Sequence, residues 1–394
     1  MFIKRKLFDT LDKYKDSRES IVITGFRRTG KTSLLEHLYQ STPSTNKIFL
    51  DLESPVNQNT FKEVSYDNIK RKLSNLGLDF GKKTYIFIDE IQMVKSIPSV
   101  VKYLSDHNDI KFYLTGSSSF YLKNFFSESL SGRKFLFELF PLDFEEFLWF
   151  KNEKLSVHAD YDFLSGFYEE YLKYGGLPGV VLEESPEKKL LKIDEALASY
   201  FNLDVKSLAG FRDNENLKKL LFLLSSRVGS KPDVSKLSES LGVSRETTYK
   251  YLSFLEQTYL IHLLRPYSSS HDVQIRSLPK IYFSDTGILS RVAEVSKGQA
   301  FENKVFNQLY TRAKLSGIIS PLQEPIYYYQ TTTGSEIDFV TQDKKAYEAK
   351  TLGSTFDLAR LKRVCHKIGI ENYKIVSLEK TRSENPGIIY PFTF

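Results

Sequence analysis

A single cysteine, Cys365, stands in a chain of 394 residues, so no internal disulfide is possible and a reducing, cytoplasmic setting is expected. Cys365 lies among apolar and basic residues, where a packed, inert thiol is the simplest role. No run of about 18 apolar residues occurs, which excludes an expected membrane span. The opening segment, Met1 to Phe8, is basic but lacks the apolar stretch of a secretion signal. The six histidines, His262 and His271 among them, show no metal-ligand spacing. There is no internal repeat and no low-complexity tract. Charge of one sign is scarce too: 55 Lys and Arg against 49 Asp and Glu leave +6, which permits a nucleic-acid partner without requiring one.

Apolar material is plentiful. Hydrophobic residues make up 41% and aromatics 14%, mostly 30 Phe and 24 Tyr, enough for packed cores. That composition excludes a wholly disordered chain, a collagen-like chain and a disulfide scaffold. The length suits two or three domains. Over residues 1–140, short apolar runs at 20–24, 47–52, 85–88 and 111–114 alternate with helical patterns at 31–40 and 60–76. This alternation predicts a parallel sheet covered on both faces. Residues 141–215 read as helical, interrupted by a turn at Tyr174-Gly175-Gly176-Leu177-Pro178-Gly179. Residues 216–270 form a small helical unit ending in a polar Ser268-Ser269-Ser270 linker, and residues 271–394 form a second α/β unit.

The loop after the first strand, Gly25-Phe26-Arg27-Arg28-Thr29-Gly30-Lys31-Thr32, satisfies G-x-x-x-x-G-K-[ST] in full. Glycines let such a loop curl so that backbone N–H groups face phosphate oxygens, and the following helix adds its positive end. The phosphate-binding residues are expected to be Gly25, Arg28, Thr29, Gly30, Lys31, Thr32 and Ser33, with Lys31 reaching the β and γ phosphates of ATP and Thr32 offering a hydroxyl to Mg²⁺. Asp89 and Glu90 close the apolar strand about sixty residues later, the arrangement in which Asp89 holds Mg²⁺ and Glu90 polarises the attacking water. Ser117, after Leu114-Thr115-Gly116, is the candidate γ-phosphate sensor, with Thr115 as competitor. Arg133, on a loop before another strand, is a candidate for stabilising transition-state charge, in its own subunit or in a neighbour.

Together, Asp89-Glu90-Ile91-Gln92, the Thr115-Gly116-Ser117-Ser118 strand end, Leu130-Ser131-Gly132-Arg133, Pro141-Leu142-Asp143-Phe144-Glu145-Glu146-Phe147 and Gly175-Gly176-Leu177-Pro178 resemble a widespread family of prokaryotic AAA-type ATP-binding proteins with a C-terminal domain of unknown function. The likeness covers nearly the whole chain. It implies ATP binding far more strongly than any biological role.

Residues 237–252 have helix-turn-helix character: Leu237 and Leu241 face inward, Gly242 makes the turn and Ser244 caps the next helix. Arg245, Thr248 and Lys250 would then be available to DNA, and residues 260–264 would start a wing. Glu239, Glu246 and Glu256 offset much of that positive charge, and such modules also serve as protein contacts.

Further on, Asp338 lies in one strand and Glu348-Ala349-Lys350 in the next, spaced for a hairpin, with Glu302 near the start of the preceding helix. This looks like the restriction-endonuclease-like PD-(D/E)xK arrangement, in which Glu302, Asp338 and Glu348 would bind Mg²⁺ and Lys350 would orient the nucleophile. The competing reading is ordinary strand pairing with a solvated face. The expected fold class is therefore α/β: an AAA-type P-loop NTPase with a parallel sheet and helical lid, a winged-helix domain and a PD-(D/E)xK-like C-terminal domain. The expected activity is Mg-ATP hydrolysis coupled to DNA, without a membrane partner and with homo-oligomerisation open. The alternative is a nucleotide-dependent regulatory switch with protein partners and an inactive nuclease-like domain.

Overall fold

The computed structural model describes residues 3–393 apart from 64, 118–131, 156–159, 207–213, 269, 271, 273, 275–276, 317–322, 332–333 and 383. Ser118, Leu130, Ser131 and His271 thus lie outside the described residues. The chain forms two units. The first holds residues 1–140 with 202–210 and 257–259; the second holds 141–201, 211–256 and 260–394.

In the first unit, β1 (Ser20–Thr24) is buried at every position, as its β-branched run demands of a strand covered on both faces. It lies between β4 (Ile110–Gly116) and β5 (Lys134–Glu138), with β3 (Thr84–Asp89) and β2 (Lys47–Asp51) beyond β4. All pairings are parallel. After a short N-terminal α1 (Lys6–Asp12), the crossover helices are α2 (Lys31–Ser41), α3 (Pro55–Phe61), α4 (Tyr66–Asn75) and α5 (Ile97–His107). Ile69 and Leu73 of α4 and Val100, Val101 and Leu104 of α5 pack with Val22, Ile86, Ile88 and Leu114 of the strands. The single helix expected over 60–76 is broken in two. Phe61 is buried, its carbonyl accepts from Ser96 Oγ at 2.8 Å, and the chain restarts at Ser65 so that Ile69 and Leu73 reach the same core.

Parallel strands send all their C-terminal ends to one edge, and ligands of such sheets bind there, where the strand order reverses. That edge carries the loop after β1, Asp89-Glu90 after β3 and Gly116-Ser117 after β4.

The second unit begins with α6 (Phe144–Phe150), α7 (Tyr161–Tyr174), α8 (Pro178–Val181) and α9 (Pro186–Ser199), which runs on into a π-helical turn, Tyr200–Val205. The Gly175-Gly176 turn is fixed by a carboxylate. Asp285 Oδ2 accepts from Gly176 N at 2.6 Å while Oδ1 caps the next helix through Gly287 N at 2.9 Å, and a Cβ on Gly175 would lie 2.0 Å from Oδ1. Then follow α10 (Glu215–Ser225), α11 (Val234–Leu241), α12 (Arg245–Gln257) and a two-stranded antiparallel ribbon, β6 (Ile261–Leu264) with β7 (Lys280–Phe283). A division at residue 270 would separate the two strands of this ribbon, so the linker reading of Ser268-Ser269-Ser270 does not mark a structural break.

Past α13 (Thr286–Val292), α14 (Lys297–Leu315) starts at a capping box made by Ser296 and Gln299, four residues earlier than the apolar pattern alone indicates. The five-stranded sheet that follows is ordered β12-β11-β10-β9-β8. Its members are β8 (Ile326–Gln330), β9 (Glu336–Thr341), β10 (Lys345–Lys350), β11 (Asn372–Ser377) and β12 (Ile388–Ile389). β8, β9 and β10 pair antiparallel, β10, β11 and β12 parallel, and α15 (Thr355–Lys367) crosses between β10 and β11. Cys365 is buried in the core of this sheet, and burial pushes its thiol up to about 12, consistent with an inert role.

Two glycines with positive φ separate steric demand from backbone preference. Gly25 has φ 147° and its Cβ would sit 2.1 Å from Leu139 O, whereas Gly242 has φ 66° in open space. Gly25→Ala is expected to cost more than 2 kcal/mol and Gly242→Ala about 1 kcal/mol. Thermal melting of the two variants checks this, and an equal loss in both would contradict the close approach at Gly25.

Candidate functional site

The loop 25–30 owes its shape to three left-handed positions: Gly25, Arg28 with φ 63° and Gly30 with φ 95°. Thr29 is buried and its hydroxyl donates to Phe26 O at 2.9 Å. Arg5, also buried, clamps the loop from behind through Nη1 to Thr29 O at 2.7 Å and Nη2 to Phe140 O at 2.8 Å. Gly30 is the N-cap of α2 and provides no side-chain cap, so the first-turn amides have no intrahelical partner. Thr32 and Ser33 are exposed there.

Lys31 is only 5% exposed. Its Nζ donates to Gly25 O at 2.9 Å and Phe26 O at 3.0 Å. Burial lowers its pKa, while Glu90, Asp204 and Asp89 act to raise it and Arg27 to lower it. Asp89 is buried at the end of β3, and burial raises its carboxyl; hydrogen bonds from the Thr115 and Thr32 hydroxyls oppose that rise. Glu90, at φ 52° and ψ 50°, is held in a strained left-handed conformation that only its surroundings justify.

Glu90 bonds to Gln92 Nε2, which also donates to Ser117 Oγ at 3.1 Å. Ser117 Oγ donates to Asp204 Oδ1 at 2.8 Å, and Asp204 Oδ2 pairs with Arg27 Nε of the loop. Glu53 belongs to the same negative field: burial raises its pKa first, then Glu90 and Asp51. The structure thus unites Gly25, Arg28, Thr29, Gly30, Lys31, Thr32, Ser33, Asp89, Glu90 and Ser117 at one sheet edge, and separates Thr115, which serves Asp89, from Ser117, which serves Asp204.

Arg133 does not join them. It precedes β5, its carbonyl accepts from Ser20 N at 2.9 Å, and its guanidinium pairs with Asp106 at 2.9 Å. It therefore sits at the opposite end of β1, about 16 Å from the loop, so of the two roles left open for it, action within its own subunit does not fit this position. Sequence reasoning missed Arg5, Arg27, Gln92 and Asp204. Gln92 and Arg27 adjoin motif residues, but nothing local marks Asp204, 177 positions from its partner Arg27.

In the second unit, Gly242 adopts the left-handed turn (φ 66°, ψ 32°) between α11 and α12, and Leu237 and Leu241 are buried. Arg245, Tyr249 and Lys250 are exposed, Lys250 sharing an ion pair with Glu246 at 2.8 Å. Thr248, expected to be available to DNA, is instead buried against Ser238 Oγ at 2.9 Å.

The C-terminal acids also gather. The β9–β10 ladder holds at Ala346↔Val340 and Tyr347↔Phe339, then opens where Glu348 would face Asp338. There Asp338 Oδ2 accepts from Ala349 N at 2.9 Å in place of a ladder bond. Like charges facing across strands destabilise a sheet unless countered. Three cations do so: Lys350 pairs with Glu348 at 2.8 Å, Arg360 pairs with the same carboxylate, and Lys280 from β7 pairs with Glu336 and lies 3.7 Å from Glu302. Glu348 is buried with Oε2 unpartnered.

Glu302 accepts from Tyr282 OH at 2.7 Å. Among the described residues no three His, Cys, Asp or Glu side chains form a set that could hold a metal ion. Glu302, Asp338 and Glu348 each turn to a cation or a hydrogen-bond donor.

An AAA domain matches residues 17–148, and two domains of unknown function, DUF8612 and DUF4143, match 166–299 and 297–388. The chain is 30% identical over 321 residues to an uncharacterized protein of Haemophilus influenzae, covering 79% of this chain and 78% of that one. It is 30% identical over 332 residues to an uncharacterized protein of Methanocaldococcus jannaschii, covering 81% and 71%. In fold it is similar to a Walker-type ATPase of Pyrococcus abyssi, with a TM-score of 0.50 at 16% identity over 74% of this chain and 96% of that one. No helix among the described residues is long and apolar enough to cross a membrane.

Burial, with the Asp338 charge beside it, pushes Glu302 up to about 7. A carboxyl whose folded pKa is raised supports the fold below its unfolded pKa of about 4.3 and loses that support as pH rises through 7. Glu302→Gln should therefore raise the melting temperature by a few degrees at pH 8 and have little effect at pH 4, below the unfolded pKa. An equal effect at both pH values would rule out the raised pKa.

Proposed function

The chain belongs to a family of AAA-type P-loop ATPases, and we propose that it hydrolyses Mg²⁺-ATP at the loop ending in Lys31 and uses the cycle to act on DNA. The observation that carries the ATP site is the buried Lys31 ammonium, bonded to the loop carbonyls of Gly25 and Phe26 and facing Asp89, Glu90 and Asp204. Lys31 exchanges those carbonyls for β- and γ-phosphate oxygens, and the uncapped first turn of α2 receives the rest of the phosphate charge. The exposed Thr32 hydroxyl beside the Asp89 carboxylate suits an oxygen-ligated cation, so Thr32 and Asp89 would hold Mg²⁺, which supplies charge neutralisation on the phosphates. Glu90 takes the proton of the water that attacks the γ-phosphorus, giving ADP and phosphate. Ser117 reports the γ-phosphate. Arg133 reaches such a site only from a second copy of the chain.

Two features support action on DNA. The order α10, α11, α12, β6, β7 is compatible with a winged helix, and the exposed Arg245, Tyr249 and Lys250 of α12 support that reading. The order α14, β8, β9, β10, α15, β11 is that of a PD-(D/E)xK-like domain, with Asp338, Glu348 and Lys350 converging. A second reading, a regulatory switch with protein partners and an inactive nuclease-like domain, is favoured by one observation: Lys280, Lys350 and Arg360 already neutralise the acids that cleavage would need.

Lys31→Ala and Glu90→Gln should each lower ATP turnover by at least about a hundredfold, with Lys31→Ala also losing nucleotide affinity; turnover retained in both would refute the assignment. DNA affinity that falls steeply with salt supports the first reading, since phosphate contacts release counterions. Its absence at any salt supports the switch. Mg²⁺-dependent nicking lost in Asp338→Ala and Lys350→Ala would make the domain a nuclease, and no nicking of single-stranded, duplex or branched DNA would make it a binding module.

A further inference from the structure

We infer that Asp204 is a specificity-determining residue of the ATP site, holding Arg27 and Ser117 so that only a nucleotide carrying a γ-phosphate can take Arg27 from it. The inference rests on the ATP-site reading above and concerns Asp204, which lies outside the phosphate-loop motif, and Arg27, one of its unspecified positions.

Asp204 comes from the π-helical turn that ends α9, a conformation that is rare in proteins and concentrated at functional sites. The chain reaches the first unit there after leaving the second, which it rejoins at residue 211. Its side chain is 2% exposed, and both oxygens are engaged: Oδ1 by Ser117 Oγ at 2.8 Å and Oδ2 by Arg27. Arg27 is the third residue of the phosphate loop and is 13% exposed. Arg27 and Asp204 both lie within the field of Lys31, the group that meets the β and γ phosphates.

The charges of this pocket explain what a triphosphate must do. Lys31 and Arg27 face three carboxyl groups, Asp89, Glu90 and Asp204. A γ-phosphate brings further negative charge toward Asp204 in a region shielded from water, where like charges repel strongly. The guanidinium fork of Arg27 can bond either a carboxylate or a phosphate in the same way, so it transfers from one to the other. Loss of Arg27 leaves Asp204 buried and unpaired, which is unfavourable. The turn carrying Asp204 then withdraws from Ser117.

Ser117 is also the partner of Gln92, and Gln92 of Glu90, so the same exchange loosens the contacts that restrain the proposed general base. ADP ends at the β-phosphate, which Lys31 and the first-turn amides of α2 meet, and leaves the Arg27–Asp204 pair in place. The pair thus opposes triphosphate binding in proportion to its own strength, and discriminates between substrate and product.

The experiment is calorimetric titration of the full chain with AMP-PNP and with ADP in Mg²⁺ buffer, using wild type, Asp204→Asn, Arg27→Gln and the double variant. Asp204→Asn should raise the AMP-PNP-to-ADP affinity ratio about tenfold, as expected for removal of a competing charge-assisted bond. Arg27→Gln should lower the ratio, and Asp204→Asn should then add less than about twofold on top of it, because the released group is gone. A ratio unchanged in Asp204→Asn, or shifted equally in both backgrounds, overturns the inference while leaving the ATP site intact. Wild type that binds neither nucleotide overturns the site reading and this inference with it. Should melting show that Asp204→Asn does not fold, Arg27→Gln alone decides: equal weakening of both nucleotides overturns the inference, and selective loss of AMP-PNP supports it.

Discussion

An ammonium group taken out of water must be paid back in partners, and Lys31 finds its partners in the loop that it terminates. Its two carbonyl bonds hold the loop closed around the place where phosphates are to lie. Everything else at that sheet edge follows from keeping this cation buried and charged. Asp89, Glu90 and Asp204 surround it, Arg27 balances them, and Arg5 fixes the loop backbone from the far side through two buried carbonyls. An apolar residue at Arg5 would leave those carbonyls without donors, which is costly in a dry interior. The strain visible at Glu90 belongs to the same arrangement: a left-handed non-glycine conformation persists only where its neighbours leave no alternative.

The second unit solves a related problem in the opposite sense. There, carboxylates gather where β9 and β10 part, and lysine and arginine side chains are brought in from β7, β10 and α15 to meet them. Buried ion pairs of this kind contribute little net stability against an apolar core, and breaking one side of them is strongly unfavourable. Such a cluster therefore fixes which strands lie together more than it strengthens the sheet. Asp285 plays a comparable part in backbone terms, since one carboxylate caps α13 and secures the turn at Gly176.

How much of this was legible beforehand depended on how local the cause was. β1 was readable to the residue, because a β-branched run buried on both faces and closed by a glycine leaves no other solution. The phosphate loop and the Asp89-Glu90 pair were readable because each residue type is demanded by its chemistry at fixed spacing. Asp338, Glu348 and Lys350 were readable as neighbours through the two-residue period of strands, but their pairing with Lys280 and Arg360 was not, since those cations arrive from other elements. Thr248 was misjudged because a step of one residue, about 100° around the helix, decides whether a side chain faces solvent or core: Thr248 is buried and Tyr249 exposed. Arg133 was misjudged because a loop before a parallel strand lies at the edge remote from the phosphate loop, a fact of topology that motif order does not carry. Asp204 left no trace at all: its partner Arg27 is 177 positions away and the π-helical turn has no sequence signature.

The ribbon of β6 and β7 joins two regions that the primary sequence keeps apart. β6 follows directly on the second helix of the helix-turn-helix, and β7 delivers Lys280 into the midst of Glu302 and Glu336. Antiparallel strands share their backbone bonds residue by residue, so they twist as one body. The ladder that positions β7 against β6 is therefore also what sets Lys280 beside Glu302 and Glu336, so the pairing of two strands separated in sequence fixes where one positive charge meets two negative ones.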